Sequence, residues 1–163
     1  MNSSASKGSK WAAQVSSRAV AESGVPYSIL RATQFHYFVD LLLGAAARFP
    51  FGPPLPAGFQ VQSVATEDVA DRLVRAIAEG PQGLLRDFAG PEPMTLADAA
   101  SAWKAARGIR KPTIQIPVPG RLGAAFRAGY NTAPDGEQGV IGWRQWLEHS
   151  VSSVEGRLMT EVS

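Results

Sequence analysis

The chain has 163 residues, 18% of them charged, with a formal net charge of +2 and no cysteine. This length suits one compact domain, and the missing cysteine excludes disulfides and thiol chemistry. The basic residues form no block, so nucleic acid is not expected as a partner, and no apolar run approaches the roughly 18 residues of a membrane span, so we expect a soluble cytoplasmic protein.

The first predicted elements lead into a short strand. Residues 1–9 are rich in Ser, Gly and Lys, which predicts a disordered N-terminus. The Ala-rich segment Trp11–Glu22 predicts a helix that ends at Ser23-Gly24. Pro26 then favours extended backbone, and Tyr27–Leu30 is expected to form a strand that is covered on both faces.

Polar residues cluster where this strand ends. They are Arg31, Thr33, Gln34 and His36. In open α/β sheets the ligand crevice lies outside the carboxyl ends of the strands, so the cluster is a candidate binding site. The alternative is ordinary capping of a strand end, with Arg31 paired to an acid such as Asp68 or Asp87.

The middle of the chain alternates helices and strands. Apolar residues at helical spacing predict a helix over Phe35–Ala47 that is mostly core. Residues 49–58 include four prolines, which predicts a surface loop without regular structure. Alternation over Phe59–Val64 predicts a strand with one exposed face. The next helix is predicted to begin at Thr66 as N-cap and to end at Gly80. Its apolar stripe is Val69, Leu73, Val74 and Ile77.

Five further elements are predicted before the C-terminus. Leu84–Gly90 reads as a short strand that runs into a turn, and Thr95 as the cap of a helix that ends near Gly108. Thr113–Val118 alternates as a strand, and two helices are expected near residues 122–128 and 140–149. Residues 151–163 are expected to be a weakly helical or frayed tail.

Two other patterns do not support a site. Gly136, Gly139 and Gly142 have the spacing of a dinucleotide fingerprint but follow a loop rather than a strand, which favours a turn and a helix start. Tyr27 and Arg31 have the spacing of a Tyr-x-x-x-Lys pair, but on a strand they lie about 13 Å apart, at about 3.3 Å per residue. The two histidines are distant in sequence, so no metal site is predicted.

Four segments in chain order carry a family resemblance: SGVPYSILRATQFH, VATEDVADRLVRAIAEGP, DFAGPEPMTLADAASAW and AGYNTAPDGEQGVIGWRQWL. Together they resemble the C-terminal half of NmrA-like atypical short-chain dehydrogenase/reductases, from about Val20 to Leu147. The resemblance implies an α/β fold over residues 10–150, made of the C-terminal portion of a Rossmann-like parallel sheet with a small substrate-binding lobe. It also implies NAD(P)(H) as the cofactor and a small organic carbonyl or quinone-like molecule as the substrate.

The resemblance also assigns site residues. It implies that a cofactor-binding loop lies beside the nicotinamide, and that three further side chains line the substrate cleft. The loop is Arg31, Ala32, Thr33, Gln34 and Phe35, and the cleft residues are His36, Phe38 and Phe51.

The chain departs from the family in two respects. The family's first half, with its glycine-rich turn, has no counterpart here, so cofactor binding is expected to be incomplete. The family often has a Lys four residues before a Glu in the helix ahead of SGVP, and these positions are Ala13 and Ser17, with Lys10 three residues out of register. No catalytic residue is therefore assigned, which leaves a non-enzymatic NAD(P)-binding or regulatory module, or a truncated fragment without activity, as alternatives. We also expect exposed strand edges to make the chain homo-oligomeric or dependent on a missing N-terminal half.

Overall fold

The computed structural model describes residues 20–150, and the side chain of Leu122 within this range is left undescribed. Residues 20–22 are helical. The predicted disordered N-terminus, most of the first predicted helix and the predicted C-terminal tail lie outside the described residues.

The described elements alternate between short strands and helices. In chain order they are β1 (Ser28–Ile29), α1 (His36–Ala46), β2 (Pro54–Pro56), β3 (Gln60–Val61), α2 (Thr66–Glu79), β4 (Gly83–Leu84), β5 (Phe88–Ala89), β6 (Met94–Thr95), α3 (Leu96–Ala106), β7 (Ile114–Ile116), α4 (Gly120–Arg127), β8 (Glu137–Gln138) and α5 (residues 143–150). None of the helices over residues 20–150 is long and apolar enough to cross a membrane.

Among the described residues, three strand pairs are parallel: β1 with β4, β5 with β8, and β2 with β7. The fourth pair in this range, β3 with β6, is antiparallel. The fold is therefore mixed α/β with small parallel sheets.

A bulge divides the predicted strand Leu84–Gly90 into β4 and β5. The backbone N–H groups of residues 83, 85 and 88 donate to the carbonyls of residues 27, 29 and 31. One side of this ladder therefore contains one residue more than the other, which locally disrupts the pairing. β1 has only β4 as a strand neighbour among the described residues. Ser28 is exposed and Ile29 half-buried, so the expectation of cover on both faces is wrong.

The hydrophobic core lies between α1, α3 and α5, with side chains from β2 and β3. Its members are Val39, Leu43, Leu55, Val61, Ala99, Ala100, Ala102, Trp103, Trp143 and Leu147. Asp40 links α1 to α3, since its Oδ1 accepts hydrogen bonds from Trp103 Nε1 and Arg107. The prediction that α1 is mostly core is wrong for one side, because Phe38 is 44% exposed and Leu42 is exposed as well.

The proline-rich segment contains a strand that the sequence did not predict. β2 accommodates its prolines because these bonds need no proline N–H group: Ile114 N–H donates to Pro53 O at 3.0 Å, and Ala57 N–H donates to Ile116 O at 2.9 Å. Proline lacks only the N–H group, so it can lie in an edge strand that presents carbonyls to its neighbour.

The predicted strand Phe59–Val64 is regular only at β3, and its polar side chain Gln62 is fully buried rather than exposed. Gln62 donates to Gly90 O at 2.9 Å and accepts from Ala133 N–H at 2.9 Å. Because both ends of its amide are bonded, burial leaves no polar group of this side chain unpaired.

The helix α2 begins at Thr66, but Ala65 is its N-cap and no side chain caps it, so the predicted capping role of Thr66 is wrong. The Thr95 prediction is confirmed: Thr95 Oγ1 accepts a hydrogen bond from Asp98 N–H at 3.1 Å at the start of α3.

Candidate ligand site at the strand ends

The segment from Arg31 to His36 joins the β1–β4 ladder to the helical core. Thr33 N–H donates to Phe88 O at 2.9 Å, and two further backbone hydrogen bonds connect Gln34 and His36 to Val64 at 2.9 and 3.0 Å. These bonds run to two different neighbours within four residues. The segment therefore crosses from one strand pair to another in a fixed conformation.

A cavity of about 370 Å³ lies beside this crossing. It is lined by Arg31, Leu85, Arg86, Asp87 and the loop residues 132–136. Arg31 and Leu85 follow β1 and β4, while Asp87 and Gly136 directly precede β5 and β8, so the cavity lies at the bulge between these two parallel pairs. Its volume is at the lower end of the range for small-molecule sites.

The charges on the cavity wall are already paired. Arg31 NH2 lies 2.6 Å from Asp87 Oδ1, so the ion pair that the sequence offered as an alternative is present. Arg86 donates to the backbone carbonyl of Asp135. Both side chains of the Arg31–Asp87 pair are about 40% exposed, so the pair contributes little stability. Arg31 can therefore turn to an anionic or polar ligand at small cost.

Two side-chain oxygens in the crossing segment have no hydrogen-bond partner. Thr33 Oγ1 and Gln34 Oε1 are both buried and unbonded. A buried polar atom without a partner costs about 1–3 kcal/mol. Of the crossing segment only Arg31 is among the residues that line the cavity, and a ligand that supplied donors to Thr33 and Gln34 would satisfy both atoms.

His36 lies at the start of α1 and is 1% exposed. Its Nδ1 is 2.8 Å from Ser63 Oγ, and its Nε2 is 3.0 Å from Ile141 O. With Nε2 protonated, Nε2–H donates to the carbonyl and Nδ1 accepts from the serine hydroxyl. The ring also packs against Trp143 and Trp146, with centroids 5.5 and 5.7 Å away. Burial lowers the pKa of His36, partly opposed by the Ile141 carbonyl and by Asp68 and Glu67.

The remaining predicted site residues are spread over the molecule. Ala32 forms a parallel bridge with Phe88, and Phe35 one with Val64, while the Phe35 ring stacks on Tyr37 at 5.6 Å. Phe38 is on the exposed side of α1, and Phe51 follows α1 in a loop, where it is 79% exposed. The structure thus brings Arg31 to the cavity wall and holds residues 32–36 in the crossing. The roles of these residues toward cofactor and substrate stay predictions.

Sequence reasoning missed the second wall of the cavity, which Arg86 and residues 132–136 provide. The signal that was present is Gly136, where a Cβ would collide with the carbonyl of Asp87. Gly139 likewise leaves room for the carboxylate of Asp68, which accepts from Val140 and Ile141 N–H at 2.9 Å each. Close backbone packing, rather than a phosphate, therefore explains these two glycines.

Over residues 20–150 no group of three or more His, Asp or Glu residues is arranged to hold a metal ion.

The short parallel strands and the intervening helices form a mixed α/β fold, and solved structures with a Rossmann-like fold are similar to it. A nucleoside-diphosphate-sugar epimerase from Staphylococcus aureus aligns over 83% of this chain and 56% of its own, with a TM-score of 0.52 and 15% identity. The dTDP-glucose 4,6-dehydratase of Bacillus anthracis, in complex with NAD, aligns over 89% of this chain and 50% of its own, with a TM-score of 0.59 and 14% identity.

RMD from Pseudomonas aeruginosa, complexed with NADPH, aligns over 88% of this chain and 53% of its own, with a TM-score of 0.57 and 11% identity. The chain thus spans about half the length of these structures, and at such identities the likeness concerns the fold alone. The sequence matches no protein-family profile and no curated protein.

Proposed function

We propose that the chain is an NmrA-like, NAD(P)(H)-dependent oxidoreductase segment and that the nicotinamide end of the cofactor binds at the Arg31–Phe35 crossing. The observation that carries the proposal is the pair of unbonded oxygens, Thr33 Oγ1 and Gln34 Oε1, in the crossing whose first residue, Arg31, lines the cavity. The fold shared with an NAD-bound and an NADPH-bound structure supports it.

The residues fit one end of the cofactor. A carboxamide carries two N–H donors, and Gln34 Oε1 and Thr33 Oγ1 are acceptors that lack donors. For the diphosphate the described residues offer no glycine-rich turn between a strand and a helix. Gly136 and Gly139 instead lie against the Asp87 carbonyl and the Asp68 carboxylate. The fit is therefore to the nicotinamide and its ribose.

The chain's own part in the chemistry is orientation. A bound nicotinamide supplies hydride transfer. The backbone bonds from Thr33, Gln34 and His36 to neighbouring strands hold the crossing, and Arg31 can exchange Asp87 for a polar group of the ligand. His36 has both ring nitrogens bonded inside the protein, so its contribution is to fix the start of α1 against residue 141. The exposed aromatic rings Phe38 and Phe51 are the residues proposed to contact a small carbonyl or quinone-like substrate.

A second candidate function is a non-enzymatic NAD(P)-binding or regulatory module. The observation that favours it is the place of Tyr27 and Arg31, which precede and follow the strand β1 rather than lying one turn apart on a helix. A third candidate is a fragment without activity of its own.

Calorimetric titration of NADPH and NADH into the full chain tests the proposal. Thr33→Val removes Oγ1 at nearly constant volume and breaks no hydrogen bond in the free protein, so the fold should keep its stability. We expect affinity to fall about threefold to tenfold, the equivalent of one hydrogen bond. Thr66→Val, at the exposed start of α2 where no side chain caps the helix, is the matched control and should bind as the wild type does.

Turnover separates the candidate functions. Oxidation of NADPH by a small quinone supports the oxidoreductase, and binding without turnover supports the module. If neither nucleotide binds at millimolar concentration, the cofactor site is wrong.

A further inference from the structure

The helix α2 turns its large apolar residues Leu73, Val74 and Ile77 to solvent and buries two charged residues, Asp68 and Arg72. Its buried residues are Asp68, Arg72 and Ala76. The exposed apolar residues recur at helical spacing, and we call them the α2 outer face: Ala70, Leu73, Val74, Ile77 and Ala78. Leu73, Val74 and Ile77 are 45%, 65% and 81% exposed. An amphipathic helix normally has the opposite orientation.

The polar side of α2 is held in place by specific bonds. Asp68 binds the backbone of residues 140 and 141, and Arg72 Nε donates to Glu137 Oε2 at 2.6 Å. These contacts fix the rotation of the helix about its axis, so the outer face cannot turn inward without breaking them. The apolar side therefore needs a cover from outside the described residues.

The charges beside the outer face indicate which molecule provides that cover. Asp71 and Arg75 lie one helical turn apart along the same edge of the face, both exposed. Neither side chain has a hydrogen bond or ion pair with any other residue in 20–150. They are two opposite charges in fixed register, and a surface that presents the same two charges in reverse order is complementary to them.

A second copy of the chain presents that surface. When two α2 helices lie antiparallel across a two-fold axis near Leu73, residues equally distant from the axis come to the same height. Asp71 then lies beside Arg75 of the second copy, and Arg75 beside Asp71 of the second copy. The small Ala70 comes within one residue of the height of the large Ile77 of the other helix, which allows close approach. A parallel pairing places the two charged edges on opposite sides and loses both ion pairs.

We propose that the α2 outer face forms a two-fold symmetric interface with a second copy of this chain, with the two α2 helices antiparallel. Self-complementary patches of this type make closed dimers. The proposal does not depend on the proposed cofactor site.

Charge reversal with sedimentation equilibrium of the full chain tests this arrangement. Asp71→Arg and Arg75→Asp each place like charges opposite one another twice per dimer, so each is expected to raise the dimer dissociation constant about threefold to tenfold. The double variant Asp71→Arg with Arg75→Asp restores both pairs in reversed order and should return the constant to near the wild-type value. Ile77→Glu should abolish the dimer.

Val140→Glu is the matched control, since Val140 is as exposed as Ile77 but lies outside α2, and it should leave the dimer intact. Circular dichroism of each variant verifies the fold. A monomeric wild-type chain up to millimolar concentration overturns the proposal, as does a dimer that survives Ile77→Glu. Failure of the double variant to recover the dimer overturns the antiparallel register.

Discussion

The helical core and the helix α2 differ in whether their apolar side chains are buried. Between α1, α3 and α5, ten apolar residues bury one another, and Trp143 is 1% exposed. On α2 the side chains of Leu73, Val74 and Ile77 face solvent, while Asp68 and Arg72 are buried and bonded. The first region therefore buries its apolar surface within the chain, whereas the second leaves apolar surface exposed and buries charge.

Truncation of a large side chain in each region gives the largest expected contrast. Trp143→Ala leaves a cavity in the core and removes the hydrogen bond that Trp143 Nε1 donates to the Ala99 carbonyl at 3.0 Å. We expect a loss of about 3–5 kcal/mol in the free energy of unfolding. Ile77→Ala on the outer face should change it by no more than about 0.5 kcal/mol when urea unfolding is followed at concentrations where the chain is monomeric. Similar losses from the two changes would remove the distinction between the regions.

Two aspartates on α2, one buried and one exposed, allow the same contrast to be tested within one helix. Asp68→Ala leaves the N–H groups of Val140 and Ile141 without their acceptor, so we expect a loss of about 1.5–3 kcal/mol. Asp71→Ala, three residues along the same helix but exposed, should have little effect on the monomer. Urea unfolding of both variants measures this, and equal effects would show that Asp68 does not anchor the 139–141 loop.

The smallest expected effect is a pH dependence from His36, which joins the crossing to the core. Since burial lowers its pKa below the ordinary value of 6.5, the unfolded chain takes up the proton first as the pH falls. The free energy of unfolding is therefore at its full value above pH 6.5 and falls below it, by at most about 1.4 kcal/mol per pH unit. His36→Gln should flatten the profile of thermal midpoint against pH, and His149→Gln, an exposed site, should leave it unchanged. A profile with the same slope in His36→Gln would contradict this assignment.

Much of the fold follows from local patterns. The periodicity over residues 35–47 and the Thr95 cap predict α1 and α3, because helix formation depends on spacing and capping that the sequence displays. The orientation of α2 could not be predicted. Its apolar stripe is plain in the sequence, but the bonds from Asp68 and Arg72 that turn the stripe outward join residues about 65 to 73 positions apart.

Only part of the site could be predicted, because its second wall also depends on contacts between residues distant in sequence. Arg31 follows a short apolar strand, and the rule that ligands bind at strand ends points to it without knowledge of the sheet. The opposite wall comes from residues 132–136, which read as a loop, and only the pairing of β5 with β8 brings them to Arg31. The β2 strand was not predicted because proline composition indicates a loop. The bonds of this strand need no proline N–H group, and composition does not reveal that.

The Arg31–Phe35 crossing, whose Arg31 lines the cavity, is proposed to bind a nicotinamide nucleotide. Amide chemical-shift mapping of the ¹⁵N-labelled chain during NADPH titration tests it most directly. We expect saturable chemical-shift changes centred on residues 31–35 and on Arg86 and Asp87, with no change for the amides around Trp143. Shifts confined to the helical core, or none at all, would contradict it.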